Sequence, residues 1–231
     1  MPMKQFNINE CVVFHKTKEM FGGFSNMSSE YPLQVNNVVF PTSEHFYQVM
    51  KYGDHPDIQK EILGEKNPLL MKNKQKKHKD RIRGDWEQIK FRMMEITLHL
   101  KLVNHWVKFG SLLLKTERKS VVELSKKDPF WGMKSVEGRT DTLLGENQLG
   151  ELLMKLREMV RDENNVGLRK KLSIWTGEEC LKLKLLGETL REVGVCEKIY
   201  LVGERSFAYI IKKHTTEYIS PINQSALVQA A

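Results

Sequence analysis

Three polar side chains recur at helical spacing in the segment FPTSEHFYQVMKYGD, residues 40–54. Glu44, Gln48 and Lys51 occupy positions i, i+4 and i+7, so a helix would align them along one face. A carboxylic acid, an amide and an amine on one wall are suited to proton transfer, to orienting a hydroxyl and to nucleophilic attack. The same spacing is also typical of a solvated helix face, so the segment alone leaves both interpretations open.

The apolar residues of this segment predict which way the helix faces. Phe46, Val49 and Met50 also recur at helical spacing and should pack against a core. Thr42, directly after Pro41, is a suitable N-cap. The segment is therefore predicted to be a short helix with one buried face and one polar face.

Composition bounds the class of protein. The chain has 231 residues, of which 40% are hydrophobic and 29% charged, as expected for a globular protein with one domain and a small appendage. Three cysteines without a pattern, no apolar leader and no long apolar run predict a cytoplasmic protein that does not enter a membrane. The net charge of +8 favours a phosphate-bearing partner, either nucleic acid or a nucleotide-like small molecule.

Periodicity predicts a mixed fold in which helices dominate. We expect a strand at residues 11–15 and a hairpin at 31–40 that turns at Asn36–Asn37. Helices are predicted over most of residues 56–118, and Ile89, Met93, Ile96, Leu100 and Val103 form their apolar stripe. Residues 128–148 are predicted to be loop-rich. A further helix with inward leucines follows and continues to about residue 162.

The residues after position 163 are predicted to form a small α/β appendage. Thr176 and Glu179 match a capping box, and Gly194 is a suitable helix stop. The runs KIYLVG and FAYIIKK are typical of strands. We expect this appendage to pack on the core or to self-associate, although recruitment of a partner or DNA is the alternative.

A basic run, KNKQKKHKDRIR at residues 72–83, allows three interpretations. Most such runs are solvated helix faces, while others bind phosphate at the edge of a pocket or contact DNA or RNA. No aromatic residues are interleaved with the basic ones, which weakens the case for single-strand binding. Glycine fingerprints for dinucleotides or phosphates and a serine nucleophile elbow are absent from the sequence, and the histidines are scattered. We therefore expect neither a metal nor a cofactor.

Five ordered blocks of the sequence resemble one known family. The blocks FSNMS, FPTSEHFYQVMKY, DWEQIKFRMM, DPFWG and GENQLGELLMKLRE span about residues 12–162 and resemble the NADAR family, also called the YbiA-like family. The resemblance implies a mainly α (α+β) fold, a helical domain with a small N-terminal β element. It places this domain at residues 1–163 and leaves 164–231 as an extension of unknown role.

The resemblance also implies an activity. Members are N-glycosidases, hydrolases that cleave the bond between a ribose C1 carbon and a nitrogen without a cofactor. The implied substrates are phosphorylated ribosylamino intermediates of riboflavin synthesis, and ADP-ribose on a nucleobase such as guanine, which links the family to NAD metabolism. The partner would be a nucleotide-like small molecule or ADP-ribosylated nucleic acid. The alternative is a non-catalytic module that binds ADP-ribose, a nucleotide or nucleic acid.

Matching positions imply the roles of individual residues. Glu44 falls on the essential glutamate and Lys51 on a lysine proposed to attack the sugar carbon and form a Schiff base. Asp128 is the best second carboxyl, because bond cleavage needs both charge stabilisation and a proton donor. The remaining matches are substrate-binding positions: Phe24, Ser25, Asn26, Gln48, Trp86, Trp131, Gly132 and Asn147.

One segment departs from the pattern of the family. The stretch MKSVEGRTDTLLGE, residues 133–146, is longer and less glycine-rich than its counterpart in many relatives. Asp141 is a candidate for an acidic role there. We expect this segment to help shape the pocket, and so to influence the choice of substrate.

Overall fold

The computed structural model describes residues 3–35, 37–161, 183–190, 209–212 and 215–218. Six α-helices and eleven short strands lie in these ranges, which confirms the predicted mixed fold. None of the described helices combines the length and apolar character that a membrane crossing requires. The helices are α1 (Ser43–Val49), α2 (Pro56–Gly64), α3 (Pro68–Gln75), α4 (Trp86–Asn104), α5 (Trp106–Leu114) and α6 (Gln148–Arg161).

The strands are short and form several small sheets. They are β1 (Lys4–Asn7), β2 (Cys11–Phe14), β3 (Leu33–Val35), β4 (Val38–Phe40), β5 (Ser120–Glu123), β6 (Met133–Val136), β7 (Arg139–Gly145), β8 (Lys184–Leu185), β9 (Glu188–Thr189), β10 (Tyr209–Lys212) and β11 (Thr215–Tyr218). β1, β7 and β6 form an antiparallel sheet in that order, whereas β2 pairs in parallel with β5. The other three pairs are antiparallel hairpins.

The predicted helix around Glu44 and the hairpin before it are both present. The Thr42 side chain accepts a hydrogen bond from the His45 backbone N–H and so caps α1. In the turn between β3 and β4, Asn37 adopts a left-handed conformation with φ of 68°, which asparagine tolerates better than most residues. The strand predicted at residues 11–15 is β2.

The prediction that residues 128–148 are loop-rich was wrong. β6 and β7 form a hairpin there, and Gly138 in its turn has φ of +75°. Leu143 of β7 is buried with Met133 and Val122 in a small second core. The alternation of apolar and polar residues that predicts strands is weak in this segment. β7 also pairs with β1, which lies far away in the sequence.

One continuous core joins the helices. Every member of the predicted stripe on α4 is at most 9% exposed, and the inward leucines of α6 are buried beside it. Phe46 and Val49 of α1, and Met50 directly after it, enter the same core. The buried face of α1 is thereby fixed, and its polar face is left to form the wall of a site.

The hairpin β8–β9 of the predicted extension packs against α2. Gln59 of α2 is completely buried, and its side chain donates to the Lys184 carbonyl and accepts from the Leu186 N–H. Leu183, Leu185 and Leu190 join the main core. These contacts agree with a packing role, whereas the domain boundary at 163/164 stays a prediction. FAYIIKK contains β10, but the capping box, Gly194 and KIYLVG lie outside the described residues.

Gly150 allows α6 to lie directly on β5. A Cβ atom at this position would collide with the Val121 carbonyl oxygen and with the Asn147 side chain. Gly110 of α5 is a control position, because a Cβ atom there would have space. Its nearest neighbour would be Val160 Cγ1 at 3.5 Å, which is an ordinary van der Waals contact.

We expect Gly150→Ala to destabilise the fold by about 3 kcal/mol, because the backbone of β5 would have to move. Gly110→Ala should be neutral or stabilising by about 0.5 kcal/mol, since it replaces a glycine inside a helix. Urea unfolding of both variants measures the two free energies. Equal stabilities would contradict the close packing of α6 on β5.

Candidate active site

Glu44 lies at the centre of a buried polar cluster. Its side chain is in the first turn of α1 and is 6% exposed. Oε1 accepts a hydrogen bond of 2.7 Å from Gln48 Nε2 and lies 3.2 Å from Lys72 Nζ. The Glu44 backbone N–H donates to the Asn26 carbonyl at 2.9 Å, which fixes the start of α1 to the Phe24–Asn26 loop. Glu44 and Gln48 therefore share one face of α1, as their spacing predicts.

Lys51 follows α1 in a 3-10 turn and points its amine at aromatic rings. Nζ lies 5.6 Å from the centre of the Tyr47 ring and 5.2 Å from that of Trp86. Burial lowers the pKa of this amine to about 8, and the nearby carboxylate of Glu44 only partly opposes that shift. The amine therefore loses its proton far more readily than an exposed lysine.

Beside these groups lies an aromatic wall, which consists of Tyr47, Trp86, Trp131 and Phe91. Tyr47 contacts both tryptophans. Its ring meets Trp86 edge-on at 5.0 Å between centroids and Trp131 edge-on at 6.1 Å. Trp131 in turn stacks on Phe91 with nearly parallel planes. Trp86 is 6% exposed, whereas Trp131 is only partly buried.

The predicted loop residues Phe24, Ser25 and Asn26 have different environments. Phe24 is completely buried and packs against Phe14 and Phe109, so it belongs to the core. The Ser25 carbonyl accepts a hydrogen bond from Lys101. Asn26 donates to Met94 Sδ, so this loop reaches the site through Asn26.

Two buried oxygens in the cluster have no hydrogen-bond partner among the described residues. They are Asn26 Oδ1 and Gln48 Oε1. An unsatisfied buried acceptor costs about 1–3 kcal/mol, so such atoms call for an explanation. Both belong to residues that contact Glu44 directly, and both are able to accept from hydroxyl groups.

Asp128 organises the turn that carries Trp131. Its Oδ1 accepts hydrogen bonds from the backbone N–H groups of Phe130 and Trp131, at 3.1 and 3.0 Å. Gly132 follows, and a Cβ there would lie 2.6 Å from the carbonyl oxygen of Glu123. Both predicted residues thus fix the Trp131 ring relative to the end of β5.

Asn147 and Asp141 have their hydrogen-bond partners on strands β5 and β7. Asn147 is completely buried with φ of 55°, and its Nδ2 donates to the Val121 carbonyl of β5. Asp141 is exposed on β7 and accepts from the neighbouring Thr142 hydroxyl. These contacts give Asn147 a role in packing α6 against β5.

The sequence did not indicate Glu123 as a residue of the site. It also did not indicate that Lys72, within the basic run, lies beside Glu44. Burial raises the pKa of Glu123 to about 7, and the charges of Glu44 and Asp128 add to that effect. The charge of Glu44 raises the pKa of the Lys72 amine. Glu123 ends the run SVVE, whose β-branched residues were the available signal for a strand ending in a carboxyl.

The rest of the basic run behaves as a solvated face. Lys74 pairs with Glu65, Lys77 with Glu61, and Arg83 with Asp85. Such exposed pairs contribute little to stability. Within the described ranges, no group of three or more histidine, cysteine, aspartate or glutamate residues is placed to hold a metal ion.

Lys101 supports the Phe24–Asn26 loop from inside the core. Its side chain is completely buried, and Nζ donates to the Ser25 carbonyl at 3.0 Å. The amine also lies 5.0 Å from the centre of the Tyr31 ring and 4.9 Å from that of Phe109. Burial lowers the pKa of this amine to about 7.

Comparison with known proteins identifies similar chains. Residues 13–161 match the family described as the NADAR domain. The N-glycosidase YbiA of Escherichia coli K12 is 32% identical over 65% of this chain and 88% of its own length. A riboflavin biosynthesis protein, PYRR of maize chloroplasts, is 34% identical over 64% of this chain and 25% of its own length. The NMR structure of E. coli YbiA superposes with a TM-score of 0.56 at 29% identity, covering 68% of this chain and 89% of that one.

The buried amine of Lys101 predicts a pH-dependent stability. Between pH 7 and pH 10 the unfolded chain keeps this proton whereas the folded chain has lost it, so stability rises with pH in that window. Relative to Lys101→Met, the wild type should gain about 1.4 kcal/mol per pH unit there. Urea unfolding of both proteins at pH 7, 8 and 9 tests this. A difference that does not change with pH would contradict it.

Proposed function

The chain belongs to the NADAR domain family, and we propose that the cluster around Glu44 hydrolyses the bond between a ribose C1 carbon and a nitrogen. The relatives named N-glycosidases confirm the predicted hydrolase class. They also support a nucleotide-like small molecule as the substrate. The observation that carries the proposal is the desolvated amine of Lys51, which lies close enough to Glu44 for the two charges to interact.

The lowered pKa of Lys51 strongly increases the fraction of this amine that is neutral at pH 7. At pH 7 a lysine with its ordinary pKa of 10.5 is neutral in about one molecule in three thousand. With a pKa of about 8, about one molecule in ten is neutral. Because only the neutral amine has a free electron pair, burial raises the share of attacking species about three-hundredfold. In this proposal Lys51 attacks C1 and forms a covalent intermediate that water releases.

Glu44 has the contacts expected of a carboxylate that stabilises positive charge. As the C–N bond breaks, positive charge develops on the ribose carbon, and a fixed carboxylate beside it lowers the barrier. The hydrogen bond from Gln48 and the ion pair with Lys72 hold this carboxylate in one orientation. Glu44 therefore needs no rearrangement at the moment of reaction.

The two acceptors without partners suit the hydroxyl groups of a ribose. Asn26 Oδ1 and Gln48 Oε1 both require a donor, and the sugar hydroxyls supply donors of the right kind. Filling these acceptors would recover part of the cost of leaving them unpaired. The sugar would then sit over Gln48, between Glu44 and Lys51.

The aromatic wall suits the leaving group. Trp131 offers a partly exposed ring on which a nucleobase or an aminopyrimidine can stack, and Tyr47 braces it from the side. Stacking of a base contributes about 1–3 kcal/mol. Substrates of this kind include ADP-ribosylated guanine, NAD-derived ADP-ribosyl groups and the phosphoribosylamino intermediates of riboflavin synthesis. The maize relative named for riboflavin biosynthesis supports the last class.

We expect Glu44→Gln to reduce turnover at least a thousandfold while the fold is retained, because the amide carries no charge to stabilise the ribosyl cation. The assay incubates the protein with guanine-ADP-ribosylated DNA, NAD and a ribosylaminopyrimidine phosphate, and measures the released base by chromatography. Glu61→Gln is the matched control, since Glu61 pairs with Lys77 on the surface, and it should keep activity within about threefold.

Saturable binding of these compounds by the wild type without any release of base would contradict the proposal. That outcome would favour the non-catalytic binding module. Full activity of Glu44→Gln would instead agree with the hydrolase class but would show that catalysis does not require the Glu44 carboxylate.

We expect Lys51→Arg to keep the positive charge but to lose at least a hundredfold in kcat, because a guanidinium does not give up its proton near neutral pH. In the wild type, kcat/KM should fall about tenfold per pH unit below pH 7, where the amine of Lys51 becomes almost fully protonated. Rate measurements between pH 5.5 and 7.5 test this. An arginine variant with wild-type kcat would show that water attacks directly.

A further inference from the structure

Glu123 ends β5 on the side of the strand that faces the site. Side chains alternate along a strand, so Glu123 shares a face with Val121, and Val122 points the other way. Val121 belongs to the main core, together with the buried residues of α1, whereas Val122 belongs to the small second core. The carboxyl of Glu123 is therefore directed toward the same region as Glu44.

The turn after Asp128 covers the end of β5. A Cβ atom on Gly132 would lie 2.6 Å from the carbonyl oxygen of Glu123 and 3.3 Å from its Cβ, so only glycine permits this approach. The Ser125 N–H donates to the Met133 carbonyl at 2.8 Å and holds the two segments together. Glu123 is desolvated by this arrangement and still keeps partial access to solvent.

Charged groups from several elements face Glu123. They are Glu44 of α1, Lys72 of α3 and Asp128 of the following turn, and His15 contacts the next backbone carbonyl, that of Leu124. Burial and the two carboxylates disfavour the ionised form of Glu123, and Lys72 only partly opposes them. As a result the pKa of Glu123 rises to about 7, and a large share of the side chain carries a proton at neutral pH.

The other two carboxyls of the cluster, those of Asp128 and Glu44, already have hydrogen-bond or ion-pair partners. Asp128 accepts two backbone N–H groups and holds the Trp131 turn, and Glu44 is bound to Gln48 and Lys72. Glu123 is the carboxyl of this cluster whose surroundings favour the protonated form, and a departing nitrogen requires a proton.

We propose that Glu123 is the acid that protonates the leaving nitrogen. From the sequence, Glu44 and Asp128 are the pair of carboxyls for charge stabilisation and proton donation. The inference rests on the proposed N-glycosidase function. The C1–N bond breaks, its electron pair stays on the nitrogen, and the Glu123 carboxyl proton moves to that nitrogen. C1 gains a bond to the Lys51 amine, one proton of that amine passes to the ring oxygen, and the sugar ring opens to a Schiff base. Water then adds to the imine carbon and gives a proton to the Glu123 carboxylate. The sugar hydroxyl closes the ring on C1 again, and its proton leaves with the Lys51 amine.

The expected signature is a change in the pH profile. Wild-type kcat/KM should fall above about pH 8, since Glu123 must be protonated while the Lys51 amine must be neutral. Glu123→Gln should lower kcat by about 10²- to 10⁴-fold and abolish the alkaline fall, so that the residual rate levels off. Asp128→Asn is the matched control, because it removes one charge from the same cluster and should keep the alkaline fall.

Two further measurements separate proton transfer from a structural effect. Formate should partly restore the rate of Glu123→Ala and leave that of Asp128→Ala unchanged, because a small acid can occupy the space of the missing carboxyl. In ¹³C-labelled protein, the carboxyl resonance missing from the Glu123→Gln spectrum should titrate near pH 7 in the wild type. Circular dichroism confirms that each variant is folded.

The possible failures are distinguishable. If the wild type releases no base from any substrate of the panel, the proposed function fails and the role of Glu123 falls with it. If the wild type is active but Glu123→Gln keeps the alkaline fall, or Glu123 titrates below pH 5, the role of Glu123 alone is overturned. Loss of the alkaline fall in Asp128→Asn but not in Glu123→Gln would return the acid role to Asp128.

Discussion

Burial of the Lys51 amine against two aromatic rings is the constraint on which the proposed chemistry depends. Desolvation is the largest influence on its pKa, and the carboxylate of Glu44 works against it. The rings of Tyr47 and Trp86 must therefore be held close to the amine, and they come from different helices, α1 and α4. The packing of α1 against α4 in the main core is what secures this distance. A loss of that packing would return Lys51 to water and restore its ordinary basicity.

Opposite and like charges are combined around Lys51, and they shift the pKa values of Lys72 and Glu123. Lys72 neutralises Glu44 and is held charged by it. The pKa of Glu123 is raised, because its burial and the charges of Glu44 and Asp128 have a larger effect on it than the opposing charge of Lys72. Close backbone contacts at Gly132 and Gly150 fix the end of β5 and the helix beside it, so these groups meet at defined positions. The arrangement separates a carboxylate, an acid and a weakly basic amine within one cluster.

Much of the fold and part of the candidate site were predictable because their signals are local. The cap at Thr42, the two faces of α1 and the stripe on α4 depend on neighbouring residues, and all three are present. The pairing of β7 with β1 and the positions of Lys72 and Glu123 beside Glu44 depend on contacts between distant segments, which a single sequence does not display. Position matching also does not separate residues that touch a pocket from residues that support it. Phe24 and Asn147 illustrate this, since their contacts lie in the core and against β5.

The central claim, that Lys51 bonds covalently to the sugar, is tested most directly by trapping the intermediate. The wild-type protein is incubated with each substrate of the panel and with borohydride, and the digested peptides are examined by mass spectrometry. The account predicts a reduced sugar adduct on the peptide that contains Lys51, and none on the same peptide of Lys51→Arg. Turnover without an adduct, or with an adduct only on another lysine such as Lys72, would contradict it.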